Sequence, residues 1–395
     1  MRKLVLLLVS VLTFTAVVAQ KNVRQTASNF LKEGKLDKAL ESINQCVQDP
    51  STAQDAKAWF LRGSIYLEVF NSKDEKYKAL DPDPVSKAID SYKKAHEFDT
   101  KKEFAEDIFA KVNWLRNNFF NQAVDFYNKK QFRDAMSAFE TGANALSAVD
   151  VQDTLALFYA AACASRANDR LKAKEIYIKL LNQNAKSVDI YNYLSDLYRI
   201  DKDSSNALKI IRQGQKLYPN DLKLFLAETN IYLTFGNTDK ALRNLKVAIK
   251  KDSSNSTVFF ALGTIYDNIS NDTNRSGGER AEAFNNAINA YQSALRINPD
   301  YFEANYNLGA LFVNKAAVIN DQANKLTLDA SAEFNKLKAE ADHYLEQALP
   351  YLEKASELQP GDVNTLYSLK QIYARTNKPD KLKEINNKIE GLQKK

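Results

Sequence analysis

The sequence predicts an all-α solenoid built from about nine helical hairpins, and three observations predict it. Turn formers are scarce: 11 Gly and 8 Pro in 395 residues make up about 5% of the chain, against roughly 12% in average proteins. A sandwich or barrel would need more of them. A short pattern also recurs, in which Ala-Leu is followed by an apolar and then a small residue at three-residue intervals. Its copies are Ala39-Leu40…Ile43…Cys46, Ala88-Ile89…Tyr92…Ala95, Ala135-Met136…Phe139…Gly142, Ala207-Leu208…Ile211…Gly214, Ala241-Leu242…Leu245…Ala248, Ala287-Ile288…Tyr291…Ala294 and Ala348-Leu349…Leu352…Ala355, with a looser one at Ala173…Tyr177…Leu180. Finally the copies keep a period: Ala207 and Ala241, Tyr198 and Tyr232, and Tyr232 and Tyr266 are each 34 residues apart. A fixed period of this size marks stacked units, each of which hides its apolar face only against its neighbours.

The first element is unlike the rest. Arg2 and Lys3 precede a mainly apolar run from Leu4 to Val18 and a small residue, Ala19, which is the anatomy of a secretory signal peptide. The run is about 15 residues, short of the roughly 20 needed to span a bilayer. Residues 1–19 are therefore expected to be cleaved before Gln20, with an uncleaved N-terminal anchor as the alternative. The nearest cysteine is Cys46, so no lipidation at a new N-terminal cysteine is expected. The expected location is exported, either periplasmic or secreted.

Residues 20–100 hold the first two repeats, 101–255 the next four and 256–362 the seventh and eighth, leaving 363–395 for a last repeat whose amphipathic stretch Asp380–Lys395 suits a capping helix. The uninterrupted helical period of Phe104, Ile108, Val112, Leu115, Phe119 and Ala123 starts the third repeat's first helix near Lys102. Upstream of several Ala-Leu copies stands a second half-motif, as Trp59-x-x-Arg62-Gly63-x-x-Tyr66, Phe259-x-x-Leu262-Gly263-x-x-Tyr266 and Asn305-x-x-Leu308-Gly309-x-x-Phe312. Pro219, Pro299 and Pro360 each follow a repeat Ala by 12 residues, where a second helix must end. In these residues the chain resembles the tetratricopeptide-repeat (TPR) family, and exported bacterial members in particular, from about Val23 to Leu392. The resemblance implies a right-handed superhelix with a concave groove lined by the first helix of each hairpin.

Three repeats depart from the pattern. Gly63 to Ala88 spans 25 residues, Gly263 to Ala287 24 and Gly309 to Ala348 39, against 12 from Ser195 to Ala207. The inserts fall near 71–84, 268–280 and 313–341, between the two helices of a hairpin, and the third should lengthen both helices, with Pro350 inside the second. Per-repeat inserts often mark a binding face; loop growth at an exposed turn is the plain alternative.

Chemistry-bearing motifs are missing from the sequence. The two histidines, His96 and His343, are too far apart to pair by spacing, and His96-Glu97 lacks the second zinc-helix histidine because Thr100 stands there. Asp272-x-Asn274-x-Ser276-Gly277 imitates half a calcium loop, but Ala283 occupies the place of the bidentate Glu, so a polar loop is expected. No G-x-G-x-x-G, G-x-x-x-x-G-K-[ST], G-x-S-x-G or C-x-x-C occurs. No catalytic residue, metal or cofactor is assigned. Cys46 and Cys163 fall at small packing positions and are expected to be buried thiols. Without Arg2 and Lys3 the net charge is about +4, with Lys and Arg interleaved among Asp and Glu, which excludes the concentrated basic surface that nucleic acid requires.

What remains is binding. Family geometry puts Asn192, Asp196, Arg199, Lys223, Asn230, Phe260, Tyr306 and Tyr367 on the groove, with Phe260, Tyr306 and Tyr367 as exposed aromatic anchors. Tyr66, Tyr198, Tyr232, Tyr266, Phe139, Tyr177 and Tyr291 belong to packing positions. The set of Lys, Arg and Asn with which one TPR subset grips a peptide carboxylate is not evident: Asn230 fits, but Ala261 stands where the next Asn is expected. The favoured reading is a non-catalytic exported scaffold that binds a protein or peptide through the groove or the inserted edge, touching membrane only through a partner or an uncleaved signal segment. A cell-envelope glycan or nutrient binder, and an enzyme with a carboxylate site in 313–341, stay open as alternatives.

Overall fold

The computed structural model describes residues 22–327 and 329–393; the expected signal segment, 1–19, lies outside them. Among the described residues there are nineteen helices and no strand. They fall into nine hairpins in series. The chain divides into two compact units between Ile190 and Tyr191. The first contains α1 (22–32) and α2 (Leu36–Gln48), α3 (Ala56–Asn71) and α5 (Pro84–Phe98) with a short α4 (Glu75–Lys78) between them, α6 (Ala105–Asn128) and α7 (Phe132–Ser147), and α8 (Thr154–Arg166) and α9 (Arg170–Asn182). The division falls inside α10 (Val188–Ile200), which pairs with α11 (Ser204–Leu217). The second unit continues with α12 (Leu222–Thr234) and α13 (Thr238–Lys251), α14 (Ser256–Asn271) and α15 (Gly277–Ile297), α16 (Phe302–Asn324) and α17 (Ser331–Leu358), and α18 (Val363–Arg375) and α19 (Pro379–Gln393).

The repeating alanines are the tightest points of both units. Ala39, Ala88, Ala135, Ala173, Ala207, Ala241, Ala287 and Ala348 are all fully buried. Facing them on the first helices are residues small enough to admit a large neighbour. A methyl group added at Gly63 would lie 2.7 Å from the Tyr92 ring, one at Gly263 2.6 Å from Tyr291, and one at Gly309 2.5 Å from Leu352. Each large residue comes from the second helix of the same hairpin, four positions after the repeat Ala, so the missing side chain on one helix is filled by the other.

Two local devices set the helix ends. Asp55, Asp83, Asp153, Asp169, Asp203, Asp221 and Asp362 each accept a backbone N–H from the first turn of the helix they precede, satisfying one of its orphan donors. In the unstretched hairpins a single left-handed residue ends the first helix, two positions before the second begins: Gly34, Lys130, Asn168, Lys202, Gly236 and Asn377. The following N–H then donates five residues back, as in Lys35 to Phe30, Gln131 to Phe126 and Asp203 to Tyr198, all at 2.9 Å. This is the Schellman closure.

The stretched hairpins are built differently. In the second, α4 and a Pro-rich turn occupy 72–83. In the seventh, most of 268–280 is helix, and only 272–276 separates α14 from α15. In the eighth, α16 and α17 run to 23 and 28 residues and Pro350 lies inside α17, where it removes one helical hydrogen bond.

At the C-terminus Ile385 and Ile389 of α19 are buried in the second unit's core. Lys381 of the same helix contacts Glu353 of α17 at 2.5 Å, and the Tyr373 hydroxyl donates to that carboxylate at 2.7 Å. Burial alone would raise the Glu353 carboxyl, but these two partners outweigh it and hold it below its ordinary value.

Two outcomes follow from this packing. Ala241→Trp should destabilise the fold by about 1–3 kcal/mol, the usual cost of overpacking a filled core, seen as a lower midpoint of thermal unfolding; an unchanged midpoint contradicts the assigned register. Because the Glu353 carboxyl is depressed, its contribution is present above the unfolded value of about 4.3 and is lost as pH falls through the lower folded value. Thermal unfolding should therefore separate the parent from Glu353→Gln at pH near 7 and bring them together in strong acid.

Candidate functional site

The expected groove residues of α10 and α12 come together. Asn192, Asp196 and Arg199 follow one another at four- and three-residue steps on α10, and with Tyr193 and Asn230 they border a cleft of about 190 Å³. The Arg199 guanidinium lies 2.6 Å from the Asp196 carboxylate and donates to Thr234 Oγ1 at 3.2 Å, which ties the two helices and orients the cation. The half-buried Asn192 amide and the exposed Asn230 amide have no side-chain hydrogen bond among the described residues. An amide presents donors and an acceptor together, so this cleft can pair with an extended backbone whatever its side chains. Lys223 is exposed on the first turn of α12, outside the cleft.

The aromatic anchors need correction. Phe260 is half-buried, with its ring 5.1 Å from Tyr301 and 5.9 Å from Tyr291. Tyr306 is also half-buried, stacked on Phe302 at 6.2 Å, and burial raises its phenol. Both are covered by aromatics that begin or precede α16. Tyr367 alone of the three is exposed, at 46%. Among the tyrosines assigned to packing, Tyr198 and Tyr266 are half-buried rather than buried.

A second polar face, on α6, was not anticipated. Trp114, 43% exposed, heads a stripe of Asn117, Asn118, Asn121, Gln122 and Asp125 that borders a shallow depression of about 450 Å³. Its three- and four-residue steps are visible in the sequence once the opposite apolar stripe of α6 is set aside.

Elsewhere the polar groups serve structure. In the calcium-like segment Asp272 accepts the Asn274 N–H at 3.0 Å, Ser276 and Glu279 form a capping box on α15, and Arg275 lies 3.7 Å from both Asp272 and Glu279. Its oxygens are spent on the turn. Among the described residues no group of three or more His, Cys, Asp or Glu is placed to hold a metal. His96 lies 3.4 Å from the exposed Asp150 carboxylate. Cys46 and Cys163 are buried, and neither is in a disulfide.

These features define a class, a protein built of repeated helical hairpins. Residues 282–315 match the model described as TPR repeat, a full 34-residue period running from α15 into α16. That stretch is similar to a single TPR repeat, and the fold class of the described residues is the all-α TPR solenoid. No curated protein matches it. Solved structures with similar folds include a MamA protein (19% identity over 51% of this chain and 88% of that one, TM-score 0.35). Others are a thermophilic TPR protein of Thermus thermophilus (20% identity, 50% and 99%, TM-score 0.36) and YrrB, a TPR protein with an unusual peptide-binding site (17%, 55% and 91%, TM-score 0.34).

Burial pushes the Cys163 thiol up to about 11. Because the thiolate is the reactive form, iodoacetamide at mildly alkaline pH should label Cys163 on the order of a hundredfold more slowly than it labels a free thiol of ordinary pKa near 8.5, with full labelling after denaturation. Fast labelling of the native protein contradicts this placement.

Proposed function

We propose that the chain is an exported, non-catalytic scaffold that holds a protein or peptide partner against the first helices of its hairpins. The observation that carries this is the α10–α12 cleft. There two amides without internal partners, Asn192 and Asn230, flank an Arg199 side chain already fixed by Asp196 and Thr234. Such a site loses little side-chain freedom when it binds, because its cation is ordered beforehand. The stripe on α6 offers further exposed amides, Asn118, Asn121 and Gln122. Export is inferred from Arg2-Lys3 and the apolar run that follows. Trp114 beside Asn117 and Asn121 also suits a second reading, a cell-envelope glycan, since an exposed ring and amides serve sugars as well.

Cross-linking in intact cells followed by mass spectrometry should recover a small, reproducible set of partners from the cell envelope, bound to a form beginning at Gln20. Loss of both amides in Asn192→Ala, Asn230→Ala should weaken the recovered complex roughly tenfold, the worth of one or two hydrogen bonds. Recovery of no partner overturns the scaffold reading, and saturable binding on a glycan panel abolished by Trp114→Ala replaces it with the second.

A further inference from the structure

The lengthened helices of the seventh and eighth hairpins enclose a cleft of about 470 Å³ between the end of α14, the start of α15, α16 and α17, within the range that takes small ligands. Its lining contains two cations, Arg280 and Lys315, and no carboxylate. That imbalance is local. The neighbouring Arg275 lies beside Asp272 and Glu279, and Lys325 lies 2.6 Å from Asp321, whereas among the described residues neither Arg280 nor Lys315 has an acidic partner within 4.0 Å. The Arg280 Nε is buried without a hydrogen-bond partner, and leaving such a donor unpaired is costly. Lys315 Nζ sits 5.6 Å from the centre of the Phe284 ring, so positive charge and apolar surface adjoin.

We infer that this cleft binds an acidic segment of a partner polypeptide, with a carboxylate between Arg280 and Lys315 and a neighbouring apolar side chain against Phe284 and Tyr344. The inference rests on the scaffold reading and gives it a second docking point. Guanidinium is the side chain best matched to a carboxylate, which it meets with paired donors. The rim amides of Asn285 and Asn314 supply partners for the backbone on either side. A phosphate group suits the cleft less well. The backbone N–H groups at the start of α15 would be its natural cradle, but the Ser276 hydroxyl already accepts the Glu279 N–H, and the Glu279 carboxylate, folded back onto Ser276 at that end, would repel a doubly charged anion.

The test is fluorescence anisotropy on the full chain with a labelled octapeptide of alternating Asp or Glu and Phe, and a control peptide carrying Asn and Gln in place of the acids. The acidic peptide should bind and the control should not, with binding weakened by added salt. Arg280→Gln with Lys315→Gln should cost roughly tenfold or more in affinity, as expected when charge-assisted hydrogen bonds are removed. Asn314→Glu keeps both cations but puts a carboxylate on the rim, and should give a comparable loss even if the double variant folds poorly. Equal binding of the acidic peptide by the parent and Asn314→Glu, or its displacement by inorganic phosphate at matching concentration, overturns the proposal. Asn192→Ala, Asn230→Ala should leave this binding unchanged. Failure here with partners still recovered from cells sinks this site alone, and the reverse pattern sinks only the first-helix reading.

Discussion

Everything in the two units depends on helices that approach closely because one of each pair has a small side chain, or none, where the other has a large one. Gly63 receives Tyr92, Gly263 receives Tyr291 and Gly309 receives Leu352; where the spacing is regular the same place is held by Ala27, Ala123, Ala161, Ser195 or Thr229, all buried. The contact is made inside a hairpin. It fixes the pair's separation and leaves the outer stripe of each helix free to meet the next hairpin, with α2 on α3, α5 on α6, α13 on α14 and α17 on α18. Close packing of this kind admits no spare methyl group, so the small positions are the least replaceable residues of the chain.

Binding chemistry therefore comes from elsewhere, and the hairpins supply it in two ways. Regular hairpins offer the solvent side of the first helix, where Asn192, Arg199 and Asn230 sit. Stretched hairpins extend past their neighbours. In the seventh and eighth the extra turns are real helix, and the cleft beside them is lined by Phe284 and Leu311 as well as by Lys315 and Arg280, so apolar surface and positive charge share one walled space.

The sequence announced the interior far better than the surface, for physical reasons. Ala39 through Ala348 and the glycines opposite them could be located because one steric demand recurs at a fixed interval. Phe260 was misplaced because Tyr301, which covers it, comes from just before the next first helix, and a periodic pattern carries no information about where that chain end lies; Tyr306 is covered by Phe302, one turn earlier on its own helix. The α6 stripe went unread because the apolar residues of the same helix dominate its pattern, while Trp114 and the amides differ from an ordinary wet face only by exposure. The four-residue α4 has too few turns to leave a period at all. The left-handed turns were invisible where Lys130 and Lys202 hold them, since lysine carries no turn signal even though that conformation costs a non-glycine residue about 1 kcal/mol.

That shared turn bears on how such a chain changes over generations. Since six turns have the same closure and the same two-residue offset to the next helix, a unit cut at two of them, a second helix together with the first helix that follows it, can be duplicated or deleted without refitting the turn at either end. The stretched hairpins lack this common joint, so each is an individual piece that a neighbour could not replace, and lineages that add or drop units should do so among the plain ones.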